Sequence, residues 1–400
     1  MALQIKYTTG YAGTGKSTAL IRLVESLPLK ETIVVAPTHK ALHRLADSLP
    51  EGLEYKTIHA LLGWIPTINE EAKTIEQIDS TMKLGRMISQ YSHIVIDEAG
   101  MMSEEMLFEI TSKIEDITRY DPSINITIHC FLDPYQLLPV RGIQIQTDPD
   151  TTTNLITQYR SEAPDIVALY TKFVHYLQGK NKQDLTTPYS ENVTKLDISQ
   201  FRKGDRLLAY TNAAVGRWNQ EIARQLNITS YENQEVQLGN MLETTLVSRV
   251  FRIEFKDIDT LMAKFFDGTL RLQNTQINPN FIESALLALV DNPHIDFVED
   301  FSGTWYPVII GIDRAKLAIQ DAKVEALKDR KKFKEVYALG RSWIMDYAFA
   351  TTVHKSQGSE FDRVFIDKAD IQKSIKNKYY DTYARLMYVS ISRAKKHIFI

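Results

Sequence analysis

Lys16 and Ser17 close the run Gly10-Tyr11-Ala12-Gly13-Thr14-Gly15-Lys16-Ser17, in which spaced glycines lead into a lysine and a hydroxyl. This pattern suits a polyphosphate. Glycines let the backbone wrap so that several N–H groups face one anion. A following helix adds partial positive charge at its N-terminus. Lys16 then meets the β/γ-phosphates and Ser17 offers a hydroxyl to Mg²⁺. Ile5 to Thr9 reads as a strand and Thr18 to Leu27 as an apolar helix, the context the pattern requires. The plainer reading is a glycine-rich strand-to-helix turn, and the flanking strand and helix weigh against it. Gly13, Thr14, Gly15, Lys16, Ser17 and Thr18 are the candidate phosphate-binding residues.

Asp97-Glu98 ends a second strand-like run, His93 to Ile96. A carboxylate at such a position holds Mg²⁺ in phosphate-loop enzymes, and its neighbour can deprotonate an attacking water. Alone, the pair reads equally well as acidic residues favoured near a helix start. Beside the phosphate loop, it points to metal-assisted hydrolysis of a phosphoanhydride, with Ser17 and Asp97 as metal ligands.

These residues need a scaffold. Thr32 to Ala36, His93 to Ile96 and Ile126 to Leu132 are short apolar runs separated by helix-like segments, which predicts a parallel sheet covered on both faces. Ligands bind beyond the carboxyl ends of such strands, where Thr38, Asp97 and Asp133 fall. A second alternating region starts near Asp205, with strands at Leu207–Tyr210, Val364–Ile366 and His397–Ile400. Between them lies a β-rich stretch, followed by a charged helix expected over Arg314–Leu339. Pro66 to Lys83 is a smaller polar insertion expected to form a hairpin. The net charge of −3 argues against an all-over cationic surface but not against a local basic groove. The single cysteine, Cys130, lies in an apolar run and reads as a buried strand residue. No signal-peptide core or membrane-length apolar run is present, so the expectation is a soluble, cytoplasmic protein with no membrane partner.

Further motifs follow in order. Asp97-Glu98-Ala99-Gly100, Leu132-Asp133-Pro134-Tyr135-Gln136-Leu137-Leu138-Pro139-Val140, Gln158-Tyr159-Arg160, Thr351-Thr352-Val353-His354-Lys355-Ser356-Gln357-Gly358 and Tyr388-Val389-Ser390-Ile391-Ser392-Arg393-Ala394 resemble the motifs of superfamily 1 helicases. The combination is most similar to the 5′-to-3′ branch, superfamily 1B, of RecD-like and phage Dda-like enzymes. The resemblance implies an α/β fold of two RecA-like P-loop motor domains with ATP between them. A small hairpin insertion would interrupt the first domain and a β-rich insertion the second. The expected divisions are 1–160 for the first motor domain, with a pin at about 62–88; 161–235 plus 341–400 for the second; and 236–340 for the inserted β-rich piece.

By the same resemblance, Gln136 senses the γ-phosphate, Tyr159 stacks on adenine and Arg160 reaches the γ-phosphate. Arg393 is the arginine finger from the second motor domain, and Gly358 and Glu360 approach ribose and phosphates. Thr38, His39, Lys40, Thr57, His59, Thr352, His354 and Lys355 are the expected contacts to single-stranded DNA, made to a backbone that positions without reading sequence. With so few residues ahead of Gly10, Gln4 lies too close to the loop to serve as the family's adenine-contacting glutamine, which implies loose base selectivity. The activity implied is an ATP-dependent DNA helicase with Mg²⁺, acting at single-strand/double-strand junctions. A protein-stripping translocase and a non-motor nucleotide-dependent subunit of a repair complex are the competing readings. The sequence names no protein partner.

Overall fold

The computed structural model describes residues 3–37, 39–46, 48–62, 64–68, 74–78, 88–139, 142–159, 163–180, 185–231, 234–240, 245–255, 260, 271–272, 295–300, 304–311, 314, 317–318, 320–322, 324, 342–376 and 380–400. Contacts divide it into two compact units. The first comprises Met1–Thr187, Gly358–Glu360 and Lys378–Lys395, and the second Pro188–Gln357, Phe361–Asn377 and Lys396–Ile400.

The first unit is built on strands β1 (Leu3–Gly10), β2 (Thr32–Ala36), β3 (Glu54–Thr57), β6 (His93–Ile96), β7 (Ile126–Leu132) and β8 (Thr152–Leu155), in the order β3-β2-β6-β7-β1-β8. All pairings between these strands are parallel. β2 is buried at every residue, as a strand covered on both faces must be, and its β-branched run suits that. Side chains alternate between two cores. Ile33, Val35, Ile94, Ile96, Ile128 and Cys130 face one. Val34, Val95 and Phe131 face the other, with Leu20 and Val24 of helix α1 (Lys16–Glu25). Cys130 is a buried strand residue, as its apolar surroundings predict. Helices α2 (His39–Ala46), α3 (Ile58–Leu61), α4 (Glu104–Tyr120) and α5 (Pro164–Leu177) complete the connections. The predicted hairpin is present as the antiparallel pair β4 (Trp64–Ile68) and β5 (Thr74–Ile78).

The second unit holds two sheets. One has the order β17-β10-β18-β19-β9, from β9 (Val193–Thr194), β10 (Arg206–Ala209), β17 (Ala350–Thr352), β18 (Phe361–Ile366) and β19 (Ala394–Phe399). The other is the expected β-rich piece, mainly antiparallel: β11 (Glu235–Asn240), β12 (Thr245–Phe255), β13 (Arg271–Leu272), β14 (Asp296–Asp300), β15 (Thr304–Ile310) and β16 (Trp343–Tyr347). Helix α6 (Asn212–Gln225) follows β10, α7 (Val353–Ser356) follows β17 and α8 (Lys368–Gln372) follows β18. Most of the charged helix expected over Arg314–Leu339 lies outside the described residues; Arg314, Leu317 and Ala318 are helical.

The unit boundary differs from the expected one. Residues 163–180 and helix α9 (Asp381–Ile391) group with the first unit, where sequence reasoning assigns them to the second. The reason is packing: Tyr170 and Phe173 of α5 meet Tyr388 and Tyr383 of α9 edge-on, with ring centroids 5.9 and 6.4 Å apart. No described helix is long and apolar enough to cross a membrane.

Candidate nucleotide-binding site

The carboxyl ends of β1, β7 and β6 bring together the phosphate loop, Asp133 and Asp97-Glu98. β7 pairs with both of the others, so its end stands between theirs. The loop turns through Gly13 and Gly15, both at φ 82°. Gly15 also lies under the Tyr159 ring, which a Cβ there would meet at 3.4 Å. The loop is tied to that segment by the Tyr159 amide, donating to the Gly13 carbonyl at 2.9 Å. Tyr159 itself is 71% exposed, an open aromatic face beside the loop.

Lys16 Nζ donates to the carbonyls of Gly10 and Tyr11, both at 2.8 Å, and lies 3.8 Å from Asp133 Oδ2. Asp133 is buried. Burial pushes its carboxyl above the usual range, and Glu98 pushes the same way, against Lys16, the Tyr388 hydroxyl and the Tyr135 amide. Asp97 and Glu98 are both buried. Glu98 takes a left-handed backbone conformation, φ 51°, rare for a residue with a side chain and found mostly where a site demands it. Gly100 is forced by closeness, since a Cβ there would meet the Asp133 carbonyl at 3.0 Å. Gln136 is buried one turn beyond Asp133.

The Ala12 peptide is held on both sides. Its N–H donates to the Tyr388 hydroxyl at 2.8 Å. Its carbonyl accepts from Gln158 Nε2 at 2.8 Å and from the Tyr170 hydroxyl at 3.2 Å. Tyr388 in turn donates to Asp133, and burial with that neighbouring carboxylate raises its own pKa well above the phenol range. Gln178 Nε2 bridges the hydroxyls of Tyr11 and Tyr135 at 3.0 and 2.9 Å. Sequence reasoning overlooks Arg385, Tyr170 and Gln178, and quotes Tyr388 in a motif without giving it a role. The available signal is Arg385, a lone cation within α9, whose other residues from Tyr383 to Ile391 are all buried.

Arg393 is 4% exposed, and its guanidinium donates to the carbonyls of Val389 and Ser359 and to Ser392 Oγ. It groups with the unit that carries Lys16, whereas the resemblance assigns it to the other motor domain. Gly358 (φ 72°) and Glu360 belong to the same unit, with Glu360 Oε2 3.5 Å from Lys395 Nζ. Arg160 lies outside the described residues, and Thr18 follows Ser17 in α1.

A metal ligand set is testable on its chemistry. Ser17 offers a hydroxyl and Asp97 a buried carboxylate, both hard oxygen donors. Among the described residues, no cluster of three His, Cys, Asp or Glu could cage an ion. Few protein oxygens suit Mg²⁺, which keeps waters and phosphate oxygens in its shell, so the residues fit it.

The expected DNA-contact residues separate into two like arrangements. Thr57 ends β3 and caps α3, accepting from the Ala60 amide at 3.2 Å. Thr352 ends β17 and caps α7, accepting from the Lys355 amide at 3.4 Å. In each unit the helix so capped carries a histidine at its second residue, His59 or His354. The His354 ring lies 6.1 Å from the Tyr210 ring. Thr38 lies outside the described residues, as do the side chains of His39 and Lys40 at the start of α2.

The second unit has no glycine loop at the end of β10. The amides of Tyr210 and Thr211 there donate to Asp370 Oδ2 at 2.9 and 2.7 Å, and the Thr211 hydroxyl donates to the same carboxylate. Burial alone would raise the Asp370 pKa, but Lys373 and these donors outweigh it and hold the carboxyl below its usual range.

Known proteins resemble the chain at both ends. Residues 2–140 match the model of an AAA domain, and residues 347–400 match a UvrD-like helicase C-terminal domain. The ATP-dependent DNA helicase PIF1 of Danio rerio is 24% identical over 419 aligned positions, covering 97% of this chain and 57% of that protein. The chain is thus similar to a PIF1 helicase over nearly its whole length. An uncharacterised protein of Acanthamoeba polyphaga mimivirus is 29% identical over 158 residues, 35% of this chain and 30% of the viral one. The chain thus spans less than two thirds of either curated relative. Bacteroides Pif1 bound to single-stranded DNA shares the fold at a TM-score of 0.50, with 17% identity over 99% of this chain and 88% of that one. The shared fold agrees with the two RecA-like domains that the motifs imply.

Proposed function

We propose that the chain is an ATP-hydrolysing DNA helicase that tracks single-stranded DNA 5′-to-3′ and opens duplex at a junction. The observation that carries this reading is the convergence of Lys16, Asp133 and the buried pair Asp97-Glu98 on neighbouring strand ends. Lys16 exchanges its loop carbonyls for the β/γ-phosphates, and Gln136 contacts the γ-phosphate. Glu98 takes a proton from the attacking water. Arg160 and Arg393 are the cations assigned to charge developing in the transition state, an effect of about 10³–10⁵ in rate in related hydrolases. Ser17 and Asp97 would hold Mg²⁺, which neutralises phosphate charge when bound.

On the DNA side, Thr57 and His59, Thr352, His354 and Lys355, and Thr38, His39 and Lys40 contact the strand backbone. Tyr159 stacks on the base of the nucleotide. The hairpin β4–β5 is the wedge at the duplex junction, where each base-pair step opened costs about 1.4 kcal/mol on average.

The test is ATP hydrolysis with and without single-stranded DNA, followed by unwinding of duplexes carrying a 5′ or a 3′ tail. DNA-stimulated hydrolysis with opening of the 5′-tailed duplex is expected. Opening only the 3′-tailed duplex overturns the polarity. Hydrolysis without opening favours a translocase, and no hydrolysis favours a non-motor subunit.

A further inference from the structure

Arg385 and Tyr388 stand one turn apart on α9, close enough to share a face of the helix, and each grips a different loop of the candidate site. Tyr388 accepts from the Ala12 amide at 2.8 Å in the phosphate loop and donates to Asp133. Arg385 Nη1 donates to the carbonyls of Pro134 at 2.9 Å and Gln136 at 2.6 Å. Packing alone asks for neither polar group. A phenylalanine would fill the space of Tyr388 against Tyr170, and an aliphatic side chain would suit the rest of α9, which is buried from Leu386 to Ile391. Burying a guanidinium or a phenol hydroxyl is unfavourable unless each finds partners. Here the partners are mainly main-chain atoms of the two loops that the hydrolysis reading uses.

We propose that Arg385 and Tyr388 are positioning residues for nucleotide hydrolysis, Tyr388 setting the phosphate loop and Arg385 setting the loop of Gln136. This rests on the ATPase reading above. The two loops do different work within it. The phosphate loop holds phosphate in the ground state and the transition state alike, so loosening it raises KM and leaves kcat nearly unchanged. Gln136 acts at the reacting phosphate, so loosening its loop lowers kcat.

The experiment uses the full chain with Tyr388→Phe, which removes only the hydroxyl, and Arg385→Lys, which keeps the charge but loses the planar fork. Steady-state ATP hydrolysis is measured at saturating oligo-dT. Tyr388→Phe is expected to raise KM about tenfold with kcat within about twofold, and Arg385→Lys to lower kcat about tenfold with KM within about twofold, the scale of one hydrogen bond. Unchanged kinetics in both variants, or kinetics altered only in proportion to lost folded protein, overturns the proposal.

Amide hydrogen exchange without nucleotide gives a second readout that needs no activity. Tyr388→Phe should speed exchange at Ala12 to Gly15, and Arg385→Lys at Tyr135 to Leu137. Exchange changed equally throughout the unit, or nowhere, also overturns it. Wild-type protein lacking ATPase would sink the hydrolase reading instead, and exchange would still report on the loops.

Discussion

Lys16 Nζ stands 3.8 Å from Asp133 Oδ2 while two loop carbonyls accept its hydrogen bonds. A cation so placed is held against the loop by groups it can trade for phosphate oxygens. Replacing it removes charge from the transition state without touching the apolar cores. Lys16→Ala should lower ATP kcat/KM by at least about a hundredfold, the scale of losing one preorganised charge-stabilising donor, with the thermal transition little changed. Steady-state kinetics beside a thermal melt check this.

Thr57 and Thr352 make the same cap in separate units, at φ −72° with ψ 155° and 150°. Loss of such a cap costs about 1 kcal/mol locally, and here it also frees the short helix carrying His59 or His354. Thr57→Ala and Thr352→Ala should each weaken single-stranded DNA binding severalfold, while Thr→Ser at either position keeps the cap and the affinity. Fluorescence anisotropy at one fixed salt concentration is the measurement, since phosphate contacts are salt-dependent. Equal affinity for Ala and Ser variants would count against the assignment.

The hairpin Trp64–Ile68 with Thr74–Ile78 is a two-stranded element outside the main sheets. Replacing residues 66–76 with a short glycine linker should abolish duplex opening and leave DNA-stimulated hydrolysis within about twofold of wild type, as expected when only the wedge is removed. A gel-based unwinding assay run beside the ATPase assay decides it, and surviving unwinding removes the hairpin from the mechanism.

Two buried groups give the units opposite responses to acid. Burial pushes the Asp346 carboxyl up to about 6, against hydrogen bonds from Asn219, the Tyr347 amide and Tyr231. An unfolded aspartate titrates near about 3.9, so between about pH 4 and 6 the folded form keeps a proton that the unfolded form has lost. Stability from this group therefore falls as pH rises through that window and is level above it. Burial, His93 and Lys6 bring His129 down to about 4. Its contribution is complete above about pH 6.5 and lost as pH falls toward 4. Asp346→Asn should remove the first slope and His129→Gln the second in melting temperature against pH. A slope identical to wild type in either variant refutes that assignment.

Much of the fold is legible from local pattern. The β-branched runs of β2 and β6 announce buried parallel strands, and the glycine spacing of the phosphate loop announces its backbone conformation. Asp97 and Glu98 draw notice because they follow an apolar strand, and Gln136 through the resemblance of its motif. Tyr388 and Arg385 gain no role from the sequence, because their partners are some 250 or more residues away in sequence, at Asp133, Pro134 and Gln136. Inside an apolar helix, a tyrosine reads as core. The unit boundary is missed for the same reason: α9 lies late in the chain, yet its packing partner is α5, and periodicity says nothing of which distant helix a face will meet.

At the end of β10, the peptide amides of Tyr210 and Thr211 are saturated by Asp370, an acid from the chain's own helix. A built-in anion thus plugs the second lobe where a free one would otherwise settle. On the proposed hydrolase reading, the phosphate loop is then the one triphosphate seat among the described residues, so each polypeptide would consume a single triphosphate per cycle.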